Sequence, residues 1–240
     1  MNIYGKNTVI EALKTRDDVS KIIISTSNHE MIPLVKKLIK NKNIEIQELP
    51  LNKMNQMFPK NHQGIVATVN DYQYVQLEKL IEKNQNKQHV AFVILDGLED
   101  PHNLGSIIRT AETAGVHGII IPKRRAASVN STVSKVSCGA VQYMKIARVN
   151  NISDSINKLK ENGVWVCGTA IDAKSYYFEQ DFKEPIAIVI GNEGKGMSQL
   201  VKKNCDFLVK IPMKGKIQSL NASVSTGIVV YEVLKQRNFK

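Results

Sequence analysis

HVAFVILDGLEDPHNLGSIIRTAETAG, residues 89–115, is an apolar run that turns directly into a helix with both ends marked. Its first part lacks the in-and-out alternation of a half-exposed strand; continuous apolar runs of this kind occur where a parallel strand is covered on both faces. In the second part Asp100 stands at an N-cap position, Pro101 at the first helical position, and Gly115 where a left-handed residue ends a helix. On a helical wheel Leu104, Ile107, Ile108, Ala111 and Ala114 share one face, while Ser106, Arg109 and Thr113 lie opposite.

The same alternation runs on towards the C-terminus. HGIIIP, MKIARV, VWVCGTA, PIAIVIG and FLVKIP read as strands; VNSTVSKVS, ISDSINKLKENG and SQLVKKN read as helices, with a last helix from about Ser219 to Lys235. That pattern predicts an α/β fold with a doubly wound parallel sheet and a ligand crevice beyond the C-terminal ends of its strands. Upstream, GKNTVIEALK, PLVKKLIKNK and LNKMNQMF read as helices and SKIIIST, NIEIQEL and GIVATV as strands, a small α/β unit over residues 1–75. Residues 76–89, QLEKLIEKNQNKQH, are polar and charge-rich and read as a linker, so the second domain is expected over 90–240.

Composition narrows the class. With 240 residues and 42% hydrophobic content the chain can bury a real core. No stretch approaches the ~20 apolar residues of a membrane helix, and no apolar signal core opens the chain, so a cytoplasmic protein without membrane attachment is expected. The three cysteines are far apart and odd in number, which predicts reduced thiols rather than disulfides. Five scattered histidines give no metal-ligand spacing, and neither GxSxG nor HExxH occurs. No metal is therefore expected. A formal charge of +11 makes nucleic acid a candidate partner, since Lys and Arg that neutralise phosphates release counterions.

Three strand-end stretches carry the chemistry. Asn103 and Arg109 sit on the helix that opens off the buried strand, although a lone arginine on a polar face is usually just solvated. IAIVIGNEGKGMSQ puts Gly191, Gly194 and Gly196 in a turn where positive φ would bring bare N–H groups against a ligand. It fits neither GxGxxG nor GxxxxGK[ST], and a tight βα turn is the alternative. In IPMKGKIQSLNASVSTGIVVYEV, Ser219 is a possible cap, and Asn221, Ser223, Ser225 and Thr226 crowd a helix mouth where buried polar groups need partners. Close helix packing is the structural alternative there.

Taken in order, LDGLEDPHNLGSIIRTAETAG, VIGNEGKGM and IPMKGKIQSLNASVSTGIVVYEV resemble the three motifs of the SpoU (TrmH-type) branch of the SPOUT RNA methyltransferases. Residues 1–75, beginning YGKNTVIEAL, resemble the substrate-binding domain of its 23S ribosomal RNA guanosine 2′-O-methyltransferase group, related to the ribosomal L7Ae/L30e RNA-binding fold. The resemblance implies a C-terminal SPOUT domain with a parallel sheet and a trefoil knot, S-adenosyl-L-methionine bound in that knot, and a homodimer. General topology argues against knots, so the knot rests on the resemblance alone. By the same resemblance Thr169, Ala170, Gly191, Gly194, Ile211 and Leu220 hold the cofactor, and Arg109, Asn103, Glu193, Ser219 and Asn221 are catalytic. The implied substrate is a guanosine ribose in the peptidyl-transferase P loop of 23S rRNA. Another rRNA or tRNA nucleoside, a noncatalytic RNA-binding protein and a nicotinamide-dependent enzyme are the alternatives, the last lacking its glycine fingerprint.

Overall fold

The structure, a computed structural model, describes residues 1–40, 42–59 and 61–238. In chain order its elements begin β1 (Asn2–Tyr4), α1 (Lys6–Thr15), β2 (Lys21–Ser25), α2 (Met31–Leu38), β3 (Glu45–Leu49), α3 (Leu51–Met57) and β4 (Ile65–Thr68). Then come α4 (Leu77–Glu82), β5 (Ala91–Asp96), α5 (Pro101–Thr113), β6 (Gly118–Pro122), α6 (Ser131–Val136), β7 (Ile146–Val149) and α7 (Ile152–Glu161). The chain finishes with β8 (Trp165–Thr169), β9 (Ser175–Tyr176), β10 (Ile186–Gly191), α8 (Gln199–Asn204), β11 (Phe207–Lys210) and α9 (Ala222–Asn238). These elements form two compact units, residues 1–73 with 128–143, and residues 74–127 with 144 onward.

In the first unit the strands are ordered β1-β4-β2-β3, with β2 parallel to β3 and β4 antiparallel to both its neighbours. The run of three isoleucines in β2 is explained by burial on both faces. Ile22 and Ile24 pack with Val9, Leu13 and Val35 of the helices, while Ile23 packs with Tyr4, Leu49, Met54 and Val66. Helix α2 starts at Met31, ahead of the expected Pro33, because proline is tolerated in a first turn. It ends at Leu38 with Ile39 as its C-cap, short of the Lys42 expected from the sequence; Asn41, within that expectation, lies outside the described residues. Segment 128–143 belongs here too, although the sequence pattern assigned it to the C-terminal alternation. Thr8 Oγ1 donates to the Ser134 carbonyl (3.2 Å), Arg16 Nη1 donates to Gln142 Oε1 (3.3 Å), and α1 runs so close to Gly139 that a Cβ there would sit 2.8 Å from Glu11 Cβ.

The second unit is a seven-stranded parallel sheet among the described residues, ordered β7-β6-β5-β10-β8-β11-β9. Interior strand β5, between β6 and β10, is buried from Ala91 to Leu95, as its unbroken apolar run requires. Helix α5 has the expected cap, with the His102 N–H donating to Asp100 Oδ1 (2.9 Å), and Gly115 has φ +72°. Residues 76–89, expected as a linker, contain α4, whose Leu77, Leu80 and Ile81 are buried in the same cluster as Phe92, Ile94 and Ile120. Leu80 lies over Gly118 of β6, where a Cβ would meet Leu80 Cδ2 at 2.7 Å.

The last helix starts at Ala222 rather than at Ser219. Asn221 acts as its cap: Oδ1 accepts from the Ser223 backbone N–H (2.9 Å) and from Ser223 Oγ (2.6 Å). Ser219 is exposed three residues earlier. Thr226, fully buried, donates its hydroxyl to the Ala222 carbonyl of the same helix (2.7 Å), so it is satisfied without an outside partner. Among the described residues no helix is long and apolar enough to cross a membrane.

Candidate functional site

Strands β10, β8 and β11 are adjacent and parallel, so their C-terminal ends open on one side of the sheet. The loops that leave those ends enclose a pocket of about 400 Å³. Thr169 and Ala170 come from the end of β8, Ile190 and Gly191 from β10, and Val209 to Ile211 from β11; Met213, Ser219, Leu220 and Ser225 complete the wall. This is the crevice position that parallel α/β sheets use for ligands. Ile171, Ile190, Met197, Ile211, Met213 and Leu220 give it an apolar lining, and Asp172, Glu193, Lys195, Lys202 and Lys210 a charged one.

The glycine turn is built differently from the sequence expectation. Of Gly191, Gly194 and Gly196, the one with positive φ is Gly196, at +66°. Gly191 is required by close approach, since a Cβ there would lie 2.3 Å from the Gly196 carbonyl carbon and from the Met197 nitrogen. The N–H groups of Gly194 and Lys195 are not bare: both donate to Asn192 Oδ1, at 2.9 and 3.2 Å. Asn192 Nδ2 in turn donates to the Gly97 carbonyl (2.8 Å), and the Ser198 N–H donates to Asp96 Oδ2 (2.8 Å). Two hydrogen bonds thus tie the turn after β10 to the turn between β5 and α5. Sequence reasoning missed Asn192 and Asp96; the signal was an asparagine two residues before a glycine, where its side chain can close a turn on its own backbone.

That tie sets Glu193 against α5 and the mouth of α9. Glu193 Oε1 accepts from Asn103 Nδ2, from Asn221 Nδ2 (2.9 Å) and from the Ala222 N–H (3.4 Å), and Asn221 Nδ2 also donates to Asn103 Oδ1 (2.9 Å). Three residues from three separated motifs, at 103, 193 and 221, form one closed polar cluster. Asn103 is buried, and the carboxylate makes each of its bonds charge-assisted. The capping bonds to Ser223 hold Asn221 in place.

The structure gathers all six expected cofactor residues, Thr169, Ala170, Gly191, Gly194, Ile211 and Leu220, into the pocket wall, together with Glu193 and Ser219. Thr169 Oγ1 donates to the Val189 carbonyl (3.0 Å), which ties the end of β8 to β10. Arg109 is exposed on α5, six residues beyond Asn103. At helical geometry that is about 9 Å further along the axis and about 120° around it. Hence Asn103 and Arg109 present different faces of one helix.

The charges around the pocket are partly paired. Lys202 Nζ donates to Asp172 Oδ2 and holds that carboxyl below its ordinary pKa. Burial pushes the Cys205 thiol up to about 12 and Cys167 higher still, so neither is a nucleophile at neutral pH. Among the described residues no group of three His, Cys, Asp or Glu side chains is placed to hold a metal ion.

Residues 90–231 match the SpoU rRNA Methylase family, and residues 2–75 match the domain described as RNA 2′-O ribose methyltransferase substrate binding. Over 238 residues the chain is 46% identical to YacO of Bacillus subtilis, named within the TrmH family as a tRNA/rRNA methyltransferase, with 98% of this chain and 96% of that one aligned. A Staphylococcus saprophyticus protein of the same designation is 42% identical over 239 residues, covering 99% and 96%. The SpoU methyltransferase AviRb of Streptomyces viridochromogenes, solved with AdoMet, has a TM-score of 0.82 at 24% identity over 98% of this chain and 89% of its own. An AdoMet-bound rRNA methyltransferase of Sinorhizobium meliloti has a TM-score of 0.81 at 26% identity over 97% and 85%.

Proposed function

Because the chain belongs to the SpoU rRNA methylase family, we propose that it transfers a methyl group from S-adenosylmethionine to a ribose 2′-hydroxyl of RNA. The substrate we favour is a guanosine in the peptidyl-transferase P loop of 23S rRNA. The observation that carries the reading is the Asn103–Glu193–Asn221 cluster beside a pocket lined by every residue expected to hold the donor.

The pocket suits that donor. Its volume lies within the usual range of small-molecule sites, its apolar wall accepts a flat heterocycle, and Gly191 lets the turn that carries Glu193 pack directly against the end of β10. Thr169, Ala170, Gly191, Gly194, Ile211 and Leu220 would hold the donor. When bound, S-adenosylmethionine supplies a methyl group on a sulfonium, ready for displacement by an oxygen in line with the departing sulfur. The chain's own task is alignment, which contributes about 7–11 kcal/mol in well-oriented intramolecular cases.

Asn103 and Asn221, fixed by Glu193, form a rigid platform beside the reacting centre; Ser219, exposed at the rim, is available to the ribose. Arg109 acts as an electrostatic partner. A guanidinium has five donors and no acceptor, so its role is to stabilise negative charge developing on O2′ while the hydroxyl proton passes to the phosphate beside that ribose and on to water. Its exposure on α5 agrees with a site completed in a homodimer. Val224 and Tyr231, exposed and seven residues apart on one face of α9, supply apolar surface for that contact. The trefoil threading and a cytoplasmic location belong to the same reading.

RNA from a strain lacking the protein, scanned for 2′-O-methyl groups, is expected to show one missing ribose methyl in 23S rRNA, restored by the purified protein with S-adenosylmethionine. Loss of a methyl from tRNA alone would transfer the substrate to tRNA, in keeping with the relatives' tRNA/rRNA names. An unchanged methylation map, with no methyl incorporated in vitro, overturns the reading.

A further inference from the structure

The first unit holds an open cleft of about 480 Å³ lined mostly by polar residues. Lys6 stands at its rim, and no Asp or Glu is among its described lining residues. Lys135 does not line the cleft, its Nζ donating to the Asn61 carbonyl, but its charge reaches His62: burial first, and then this ammonium, push that imidazole below its ordinary pKa of 6.5. A cavity with a lysine at its rim and no carboxylate among its described lining residues suits an anionic ligand.

Its hydrogen-bonding groups are set in one pattern. His62 is buried and neutral, and its Nδ1 accepts the Gly64 N–H (2.9 Å), so the proton sits on Nε2 and is donated to Asn55 Oδ1 (3.0 Å). Gln63 Oε1 accepts the Lys6 backbone N–H (2.9 Å). With both amide oxygens engaged, Asn55 and Gln63 present their NH₂ groups as donors. Gln63 also has φ +56°, a left-handed backbone uncommon for a side-chain-bearing residue, and Asn28 Nδ2 holds it there by donating to the Gln63 carbonyl (3.3 Å). Strain kept by neighbours marks a place where the side chain's position matters.

We propose that this cleft binds one unpaired nucleotide of the RNA, its phosphate at Lys6 and an acceptor-rich base edge, that of guanine or uracil, against the amides of Asn55 and Gln63. Base edges of a regular RNA duplex are hidden in its deep groove, whereas a splayed base offers them freely. This inference rests on RNA being the substrate, and it adds a second contact, in the other unit from the donor pocket.

The test compares Lys6→Glu and Gln63→Gly with Lys40→Glu, an exposed site outside the cleft that carries the same charge change as the first. Glycine at 63 accepts the native φ and removes only the amide. Filter binding with unmodified bulk rRNA and tRNA, from cells lacking the protein, is expected to show about a tenfold rise in Kd for Lys6→Glu and about fivefold for Gln63→Gly, against at most about twofold for Lys40→Glu. S-adenosylmethionine affinity by calorimetry stays at the parental value in all three. Parental RNA affinity in Gln63→Gly, or equal losses in Lys6→Glu and Lys40→Glu, overturns the cleft. A parental protein that binds RNA but no S-adenosylmethionine overturns the methyltransferase reading and leaves the cleft standing. Photo-crosslinking of thiouridine-substituted RNA to the parental protein checks the result without any variant: peptides spanning 25–28 or 55–64 support the cleft, and crosslinks confined to other segments of the first unit refute it.

Discussion

Alanine in place of Gly191 is expected to disable the donor pocket while the neighbouring Gly194 tolerates the same change. The added Cβ at 191 would lie 2.3 Å from two backbone atoms, the Gly196 carbonyl carbon and the Met197 nitrogen, where ordinary contact begins near 3.4 Å. Neither atom is the end of a flexible side chain, so the whole turn must retreat by about 1 Å. Glu193 lies inside that turn and holds Asn103 and Asn221. A displacement of about 1 Å in reacting geometry costs on the order of 100-fold in rate, equivalent to about 2.7 kcal/mol. At Gly194 the nearest atom to an added Cβ is Asn192 Oδ1 at 3.6 Å, and φ is not positive, so the expected change is within about threefold. Gly196 has space but φ +66°, and alanine there is expected to lower stability by about 1 kcal/mol with a smaller effect on rate. Single-turnover transfer of a radiolabelled methyl group to RNA, with calorimetry of S-adenosylmethionine binding and thermal melting on each variant, separates the three. A Gly191→Ala enzyme with parental rate and donor affinity would refute the close-approach argument.

Other expectations follow from the same contacts. Glu193→Ala strips the acceptor from buried Asn103 Nδ2, a loss of about 1–3 kcal/mol or roughly 5- to 150-fold in kcat, and Glu193→Gln, which keeps an oxygen, should lose less. Equal rates in parent and Glu193→Ala would show the cluster to be idle. His117 is pushed below its ordinary pKa of 6.5 by burial first and by Lys87 and Arg237 next, and its Nδ1 accepts the Ala91 N–H (3.2 Å). The unfolded chain therefore binds the extra proton, so its stabilising effect is complete above pH 6.5 and declines as pH falls through the depressed folded pKa. Melting temperatures should drop on acidification below that point, and His117→Gln should flatten the slope. Leu80→Ala should cost about 2–5 kcal/mol in chemical denaturation, whereas a solvated linker would make it nearly neutral.

The parallel sheet was legible because apolar strands and helices alternate through most of residues 90–212, and the unbroken apolar strands β5, β6 and β10 are buried along nearly their whole length as their composition requires. What escaped was short or disguised. Strand β1 has three residues, too few to show a period, and it exists because β4 offers an antiparallel edge. Helix α4 hid in a charged stretch; its apolar residues at 77, 80 and 81 have helical spacing, but only Gly118 beneath Leu80 makes room for them. At the site, residue type and motif order named Asn103, Glu193 and Asn221, yet their mutual bonds join positions 90 and 118 residues apart, which local pattern does not encode. The start of α9 was misplaced because Ser219 and Asn221 are both good caps, and the choice depends on Glu193 holding the second.

Segment 128–143 has a consequence for biosynthesis. The first unit is interrupted in the chain: its sheet is complete by residue 68, but the residues that cover Thr8, Glu11 and Arg16 are more than fifty positions away. On the ribosome the amino-terminal part must therefore wait, partly uncovered, until residue 143 has emerged from the exit tunnel. A fragment cut at residue 75 would never receive that covering.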